Sequence, residues 1–208
     1  MQKTLLALAL LGTMGTAQAM HLEIGAGYSW GTRMANGFWV QNVNPHTIKL
    51  NSPTWYAGVT GHAYRYLAWH IDYVRLDTYG ENSWDTADNH QQWTCATHTC
   101  YQFVGSGASQ GVRLTLGPTF GYDGWHISAQ GGPFLYESTW AFTVYDQSGR
   151  NIAQGSHRNR VQVGDVVGVS LRYRAFSLNA DRYMMRAPRD RFPPLIYGAT
   201  TLTAGYRF

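Results

Sequence analysis

One pair of side chains has the spacing of a nucleophile and its base. His126 and Ser128 are separated by one residue, so on a β-strand both side chains point to the same face. A histidine can take the proton of a neighbouring serine hydroxyl, and the carboxylate of Glu137 could orient that histidine. The pattern permits a hydrolase with Ser128 as nucleophile. Because His-x-Ser also occurs often by chance, this spacing alone does not establish an enzyme.

The two cysteines, Cys95 and Cys100, lie close together in the sequence. In an exported protein they meet an oxidising compartment, which favours a local disulfide. The nearby His90 and His98 leave a zinc site as the alternative. Structural zinc sites usually repeat a cysteine pair or supply further ordered ligands, so we expect the disulfide and neither a metal nor another cofactor.

Two segments contain residue types that are frequent in binding surfaces. The first, around the cysteines, holds Trp84, Trp93, Tyr101 and Phe103, and the second holds Arg182, Arg186, Arg189 and Arg191 among prolines. Aromatic side chains beside a disulfide suit a contact surface, because the constrained loop loses less conformational entropy on binding. Guanidinium groups bind phosphate in a bidentate manner. The candidate contacts are Trp84, Trp93, Arg186, Arg189 and Arg191. A self-stabilised loop and a solvated basic rim are the alternatives.

The amino terminus has the pattern of a secretory signal. Lys3 supplies a positive charge, residues 5–11 are apolar, and residues 17–19 have the small-x-small cleavage pattern. The apolar run is too short to cross a bilayer as a helix. We expect residues 1–19 to be a signal peptide and residues 20–208 to form one domain, exported through the periplasm.

The composition favours strands. Charged residues make up 13% of the chain, against about a quarter in soluble domains, while aromatic residues reach 14% and glycine accounts for 23 positions. After the signal, no stretch approaches the roughly 18 apolar residues that a membrane helix requires. The net charge of +4 is modest, and the basic and aromatic stripe of a nucleic-acid surface is missing.

Period-two alternation of apolar and polar residues predicts eight β-strands. In the first segment Leu22, Ile24 and Tyr28 share one face, and Glu23 and Ser29 share the other. The segments lie near residues 22–30, 54–65, 69–73, 112–116, 125–130, 167–173, 176–181 and 196–208.

The connections between these segments alternate in length. Long connections are expected at residues 31–53, 77–107, 138–160 and 184–195, and tight turns near residues 66, 123–124 and 174–175. Single-chain bacterial barrels have short periplasmic turns and long extracellular loops. An even strand count also returns both chain ends to the periplasm. Residues 139–145 and 152–161, on either side of Ser148-Gly149, leave open a hairpin within the third long connection.

The charges separate a membrane barrel from a soluble one. The polar parity carries Glu23, Asp72, Arg113, Arg172, Asp181 and Arg207. The alternative is a soluble sandwich or a lipocalin-like barrel, which packs the apolar residues of its strands inside. Aromatic residues such as Trp30, Trp55 and Trp125 stand near the ends of the apolar strand faces. Membrane barrels have aromatic girdles at this position, at the interface between lipid and water. We expect an all-β, eight-stranded antiparallel transmembrane barrel whose ion-paired lumen is too narrow for a channel.

Two motifs carry a family resemblance. The ending, residues 203–208, resembles the closing strand of outer-membrane barrels, above all in Tyr206 and the terminal aromatic Phe208. In that class this ending is the signal for the barrel-assembly machinery. Residues 116–118 followed by 122–125 are similar to the central hairpin of the Ail/Lom/OmpX family, within the wider OmpA-like and opacity-type barrels. The resemblance implies the outer membrane of a Gram-negative bacterium.

Together these features predict a non-enzymatic surface barrel. Its loops would bind lipopolysaccharide or a host or phage ligand, or the barrel would support the envelope, with nucleic acid excluded. The resemblance implies adhesion for some members, through loops that this sequence does not visibly match. The alternative is a lipid A deacylase, since one such family uses His-x-Ser on a strand. Ala129 stands where that family has asparagine, and the turn at 123–124 places His126 at the periplasmic end with lumen parity.

Overall fold

The computed structural model describes residues 20–33, 46–49, 51–86, 100–185 and 196–208. Its strands are β1 (His21–Arg33), β2 (His46–Lys49), β3 (Asn51–Tyr64), β4 (Leu67–Thr86), β5 (Cys100–Tyr122), β6 (Trp125–Tyr145), β7 (Asn151–Arg158), β8 (Gln162–Tyr173), β9 (Phe176–Met184) and β10 (Ile196–Arg207). Within those ranges no helix has both the length and the apolar character needed to cross a membrane.

Eight of these strands close into an antiparallel barrel. The order around the wall is β1-β3-β4-β5-β6-β8-β9-β10, and β10 pairs with β1 to complete the circle. The closing pair runs from Glu23 opposite Arg207 to Thr32 opposite Gly198. Each wall strand neighbours the next one along the chain, so the barrel is of the up-and-down type and leaves no open edge. The predicted eight-stranded barrel is confirmed.

Three tight turns lie at one end of the barrel, which we call the turn end. They are formed by residues 65–66, 123–124 and 174–175, as the sequence predicted. Asp123 and Gly124 both have positive φ, 48° and 79°, the conformation that a two-residue type I′ hairpin turn requires and that Asp-Gly adopts readily. The amide of Phe208 donates to the carbonyl of Leu22 at 2.9 Å, so the end of β10 also lies here.

At the opposite end, the loop end, three wall strands continue beyond the barrel. β4 pairs with β5 as far as Thr86 opposite Cys100, and β5 pairs with β6 as far as Gln102 opposite Tyr145. β2 adds to β4 and β7 adds to β6. We call this part, residues 46–49, 77–86, 100–108 and 138–158, the hairpin extension.

The extension corrects the predicted loop boundaries. Residues 77–86 and 100–107 are strand, not loop, and the hairpin left open at residues 139–161 is formed by β6 and β7. The register shifts between Leu76 and Tyr79, and such a bulge reverses the alternation that parity counting follows. Pairing with a long neighbouring strand satisfies the backbone N–H and C=O groups even where the alternation of apolar and polar residues is weak.

Side chains of the barrel alternate between an inner and an outer wall. The inner wall holds the buried charged and polar residues, including Glu23, Asp72, Arg113 and Asp181. The outer wall holds exposed apolar and aromatic residues: Leu22, Ile24, Tyr28, Trp30, Trp55, Leu114, Leu116, Phe120, Trp125, Ile127, Val167, Val169, Leu171, Phe176, Leu178, Leu202 and Tyr206. The barrel is therefore polar inside and apolar outside.

Candidate functional site

An ionic cluster occupies the middle of the lumen. Arg113 donates from Nε to Asp72 Oδ2 at 2.7 Å and from a terminal nitrogen to Asp181 Oδ2 at 2.5 Å. All three side chains are almost completely buried. Gln130 donates to the other oxygen of Asp181 at 2.6 Å, and the same terminal nitrogen of Arg113 lies 3.2 Å from the hydroxyl of Tyr183. The cluster ties β4, β5, β6 and β9 together across the barrel.

Two glycines provide the space for these carboxylates. Gly58 lies opposite Asp72 on β3, and Gly168 lies opposite Asp181 on β8. A Cβ atom on Gly58 would come within 2.4 Å of Asp72 Oδ1, and one on Gly168 within 2.0 Å of Asp181 Oδ1. The carboxylates lie across the neighbouring strands because those positions have no side chain.

Glu23 is held by hydroxyl groups. Tyr56 and Ser177 both donate to its Oε1, at 2.6 and 2.7 Å, and Asn179 donates to the hydroxyl of Tyr56 at 2.8 Å. The guanidinium of Arg113 lies 5.0 Å from the centre of the Tyr56 ring, a cation–π contact. Tyr56 therefore connects the ionic cluster to the network around Glu23.

The other two candidates of the lumen network, Arg172 and Arg207, do not join the cluster. Across the ranges that the structure describes, neither forms an ion pair. Arg207 stands opposite Glu23 in the β1–β10 register, but its guanidinium makes no hydrogen bond to that carboxylate. Both arginines lie nearer to the turn end than the ionic cluster does.

An apolar layer fills the lumen nearer to the loop end, and sequence reasoning missed it. Its buried members are Tyr56, Val74, Leu76, Phe134, Tyr136, Val166, Tyr183, Met185 and Ala199. Phe134 stacks on Tyr136 with ring centres 5.3 Å apart and meets the edge of Tyr183 at 4.9 Å. The predicted polar, ion-paired lumen therefore does not extend to this layer. The alternation of residues could have revealed this layer. Val74, Leu76 and Phe134 occupy the same alternate positions as the lumen-facing polar residues of their strands.

A carboxylate and an arginine join two strands where the barrel meets the hairpin extension. Arg158 donates to both oxygens of Glu137, at 2.9 and 2.5 Å, and Gln110 donates to Oε1 at 2.8 Å. The hydrogen bonds from Arg158 and then Gln110 lower the pKa of Glu137, and Glu137 in turn raises the pKa of Arg158. This site connects β5, β6 and β7.

A shallow cleft opens beside that pair. Its volume is about 390 Å³. It is lined by small residues, among them Ser106, Ala108 and Ala141, and by the larger side chains of Arg75, Trp140, His157 and Arg158. Of its two guanidinium groups, that of Arg158 is paired with Glu137, and Arg75 stands opposite the exposed Trp55 in the β3–β4 register.

The arrangement of His126 and Ser128 does not support a hydrolase. Both lie on the inner wall close to the turn end, as their parity predicted. Ser128 donates its proton to the hydroxyl of Thr119 at 2.9 Å, and no hydrogen bond joins it to His126. Glu137 is engaged by Arg158 and Gln110 and lies far along β6. The base, the nucleophile and the orienting acid are therefore not assembled.

Most of the predicted loop contacts lie outside the described residues. This holds for Trp93, Arg186, Arg189, Arg191 and Cys95, so the predicted disulfide and the loop site remain predictions. The backbones of Trp84 and Cys100 belong to β4 and β5. The predicted signal peptide, residues 1–19, is outside as well and remains a prediction. Within the described ranges, no group of three or more His, Cys, Asp or Glu side chains could hold a metal ion.

The two residues of the predicted assembly signal lie on the outer wall. Tyr206 and Phe208 are both exposed. The Tyr206 ring meets the edges of Phe176 and Phe208, with ring centres 5.2 and 5.0 Å apart. These rings form part of an aromatic belt around the turn end.

No protein-family model and no curated protein matches the chain. Among solved structures, it is similar to the crystal structure of Ail, the attachment invasion locus protein of Yersinia pestis, at 12% identity and a TM-score of 0.49, over 93% of this chain and 100% of Ail. The complex of Ail with the heparin analogue sucrose octasulfate is similar at 13% identity and a TM-score of 0.46, with the same coverage. At this level of similarity the likeness carries no conclusion about what this chain binds.

Proposed function

We propose that this chain is a non-enzymatic barrel of a bacterial outer membrane, with its hairpin extension and loops outside the cell as a binding surface. The proposal rests on the burial pattern of the barrel, which has polar residues inside and apolar residues outside, the reverse of a soluble protein. Arg113 and Asp72 are buried, whereas Val169 and Ile127 are more than half exposed. Such an apolar exterior is unfavourable in water and favourable in hydrocarbon.

The height of the apolar wall supports the proposal. Phe208 belongs to the aromatic belt at the turn end, and Trp30, opposite Thr200, belongs to the aromatic residues nearer to the loop end. Strands that rise about 3.3 Å per residue and tilt by about 40° cover roughly 20 Å along the axis between these levels. Outer-membrane barrels have an apolar band of about 25 Å between two aromatic girdles.

The unequal ends of the barrel support the orientation. Two-residue turns lie at the end where β10 finishes, and the hairpin extension lies at the other. In bacterial barrels the short turns face the periplasm and the long connections face outward. We infer that a periplasmic chain carrying the closing residues Tyr206 and Phe208 is inserted by the barrel-assembly machinery, after removal of residues 1–19.

The binding surface combines charge and small residues. The cleft lined by Arg75, Arg158 and small residues lies where the barrel meets the hairpin extension, at the level of lipid headgroups. The loop candidates Trp84, Trp93, Arg186, Arg189 and Arg191, with the proposed disulfide Cys95–Cys100, would extend this surface. Lipopolysaccharide phosphates and anionic ligands of a host or phage fit its chemistry. This role in adhesion or envelope support needs no catalytic residue and no cofactor.

Labelling of intact cells tests the placement. Ser148→Cys puts a thiol in the exposed turn between β6 and β7, and Asp123→Cys puts one in the exposed turn at the opposite end. A maleimide that does not cross membranes should label Ser148→Cys on intact cells. It should label Asp123→Cys only after the cells are opened, with the unsubstituted chain as the background for the native cysteines.

The opposite labelling pattern would reverse the orientation. Recovery of the folded chain in the soluble fraction, with both thiols labelled equally, would remove the membrane from the proposal altogether.

A further inference from the structure

A group of cationic and ionisable side chains surrounds the lumen at the turn end. His126 lies directly opposite Arg172 in the β6–β8 register, and the ring centres of His126 and His62 are 6.5 Å apart. Arg172 lies opposite Ser177 and Ser177 lies opposite Gly205, and Arg207 is the next inner-wall residue after Gly205 on β10. We call these four residues, contributed by β3, β6, β8 and β10, the basic mouth.

Among the described side chains, the basic mouth has more positive charges than negative ones. Arg172 is only 7% exposed, and its buried Nε has no hydrogen-bond partner. Glu23, which stands opposite Arg207 in the β1–β10 register, already accepts hydrogen bonds from Tyr56 and Ser177. One carboxylate thus faces two guanidinium groups, and a buried charge without a partner is strongly unfavourable. The contrast with Arg113, which is enclosed by two carboxylates, indicates that something else completes the site.

The donor set defines the missing ligand. Guanidinium groups bind tetrahedral oxyanions with paired N–H donors, and imidazole rings can add further N–H donors. His62, His126 and Arg207 are partly exposed, so a small ion can enter from the turn end. All four side chains belong to the inner wall, which lipid headgroups around the barrel do not reach.

We propose that the basic mouth binds a small, water-soluble oxyanion of the phosphate class through Arg172 and Arg207. The anion supplies the countercharge that Arg172 lacks and closes the lumen from the turn end. This inference depends on the barrel alone and holds whatever the loops bind.

Thermal unfolding of the folded chain in phosphate-free detergent micelles tests the proposal, with inorganic phosphate as the probe and chloride at equal ionic strength as the reference. At ten times its dissociation constant, a bound ligand should raise the unfolding temperature by about 4 °C. Arg172→Gln and Arg207→Gln should each abolish most of this rise. Arg174→Gln, which removes an exposed arginine from the adjacent turn, should keep it.

The reference condition separates binding from a structural role. Arg172→Gln should be at least as stable as the unsubstituted chain in chloride, because it removes an uncompensated buried charge. The proposal is overturned if phosphate fails to stabilise the unsubstituted chain, or stabilises the Arg172→Gln and Arg207→Gln variants equally well. Because the two variants are independent, a folding defect in one leaves the other decisive.

Discussion

At the residue scale, each arginine of the lumen is defined by what surrounds it. Arg113 has two carboxylates and a tyrosine ring around it. Arg172 shares the same inner wall, but its buried Nε has no hydrogen-bond partner among the described residues. Burial alone therefore does not predict the effect of removing an arginine from this barrel, whereas the local count of opposite charges does.

Replacing Arg113 with methionine should lower the free energy of unfolding by about 3–5 kcal/mol, since Asp72 and Asp181 then face each other without a countercharge. Urea unfolding from lipid vesicles, followed by tryptophan fluorescence, measures this. Arg150→Met is the control, because Arg150 is exposed in a turn, and it should change the value by less than about 1 kcal/mol. Equal effects of the two substitutions would contradict a stabilising role for the cluster.

At the scale of elements, the barrel and the hairpin extension are stabilised differently. Barrel strands are buried on one face and closed into a ring, whereas β7 has β6 as its one partner among the strands that the structure describes. Two polar groups strengthen this edge. Arg158 joins β7 to Glu137, and Asp146 accepts from the amides of Ser148 and Arg150 within the turn.

Glu137→Gln should loosen β7 while leaving the barrel unchanged. The bonds from Arg158 lower the pKa of Glu137, so its contribution is present above the unfolded-state pKa and is lost as the pH falls through the folded-state pKa. Hydrogen exchange should become faster in the β7 amides of the variant. The unsubstituted chain should approach the same rates at acidic pH, where the variant shows little further change.

Arg160→Gln is the matched control, because Arg160 is exposed just beyond β7 and should leave these exchange rates as they were. If β7 exchanges identically in Glu137→Gln and in the unsubstituted chain, the pair does not stabilise the edge. An exposed ion pair of this kind contributes little to the stability of the whole barrel, so the effect should stay local.

At the scale of the whole molecule, the surrounding solvent decides which face is stable. The outer wall is apolar from the turn end to the level of Trp30, and charged residues are concentrated inside. In a membrane, the free-energy cost of a charged residue on the outer wall depends on the depth of that residue in the bilayer. In water it does not.

Two valines on β8 allow a direct test of this dependence. Val169 lies between the aromatic levels and Val163 lies near the loop end, yet they are 55% and 51% exposed. In lipid vesicles, Val169→Arg should lower the free energy of unfolding by about 2–4 kcal/mol, and Val163→Arg by about 0–1 kcal/mol. The measurement is urea unfolding of both variants in the same vesicles. Equal costs at the two depths would mean that no hydrocarbon surrounds the barrel.

Residue types along the chain were sufficient to predict the barrel, its eight strands, its three tight turns and the face of the charged lumen residues. This is possible because a strand presents alternate residues to opposite sides, so parity assigns Asp72 and Arg113 to the lumen without knowledge of any other strand. Asp-Gly at the central turn is a similarly local signal.

The tertiary structure decided which residues meet inside. Arg113 and Asp181 lie on strands that face each other across the lumen, and their meeting depends on the stagger between strands, which no single strand encodes. The same stagger places the basic mouth, the ionic cluster and the apolar layer at different heights along the inner wall. The hairpin extension likewise depends on pairing between β4, β5 and β6 beyond a bulge, because partners supplied by distant segments satisfy the backbone there.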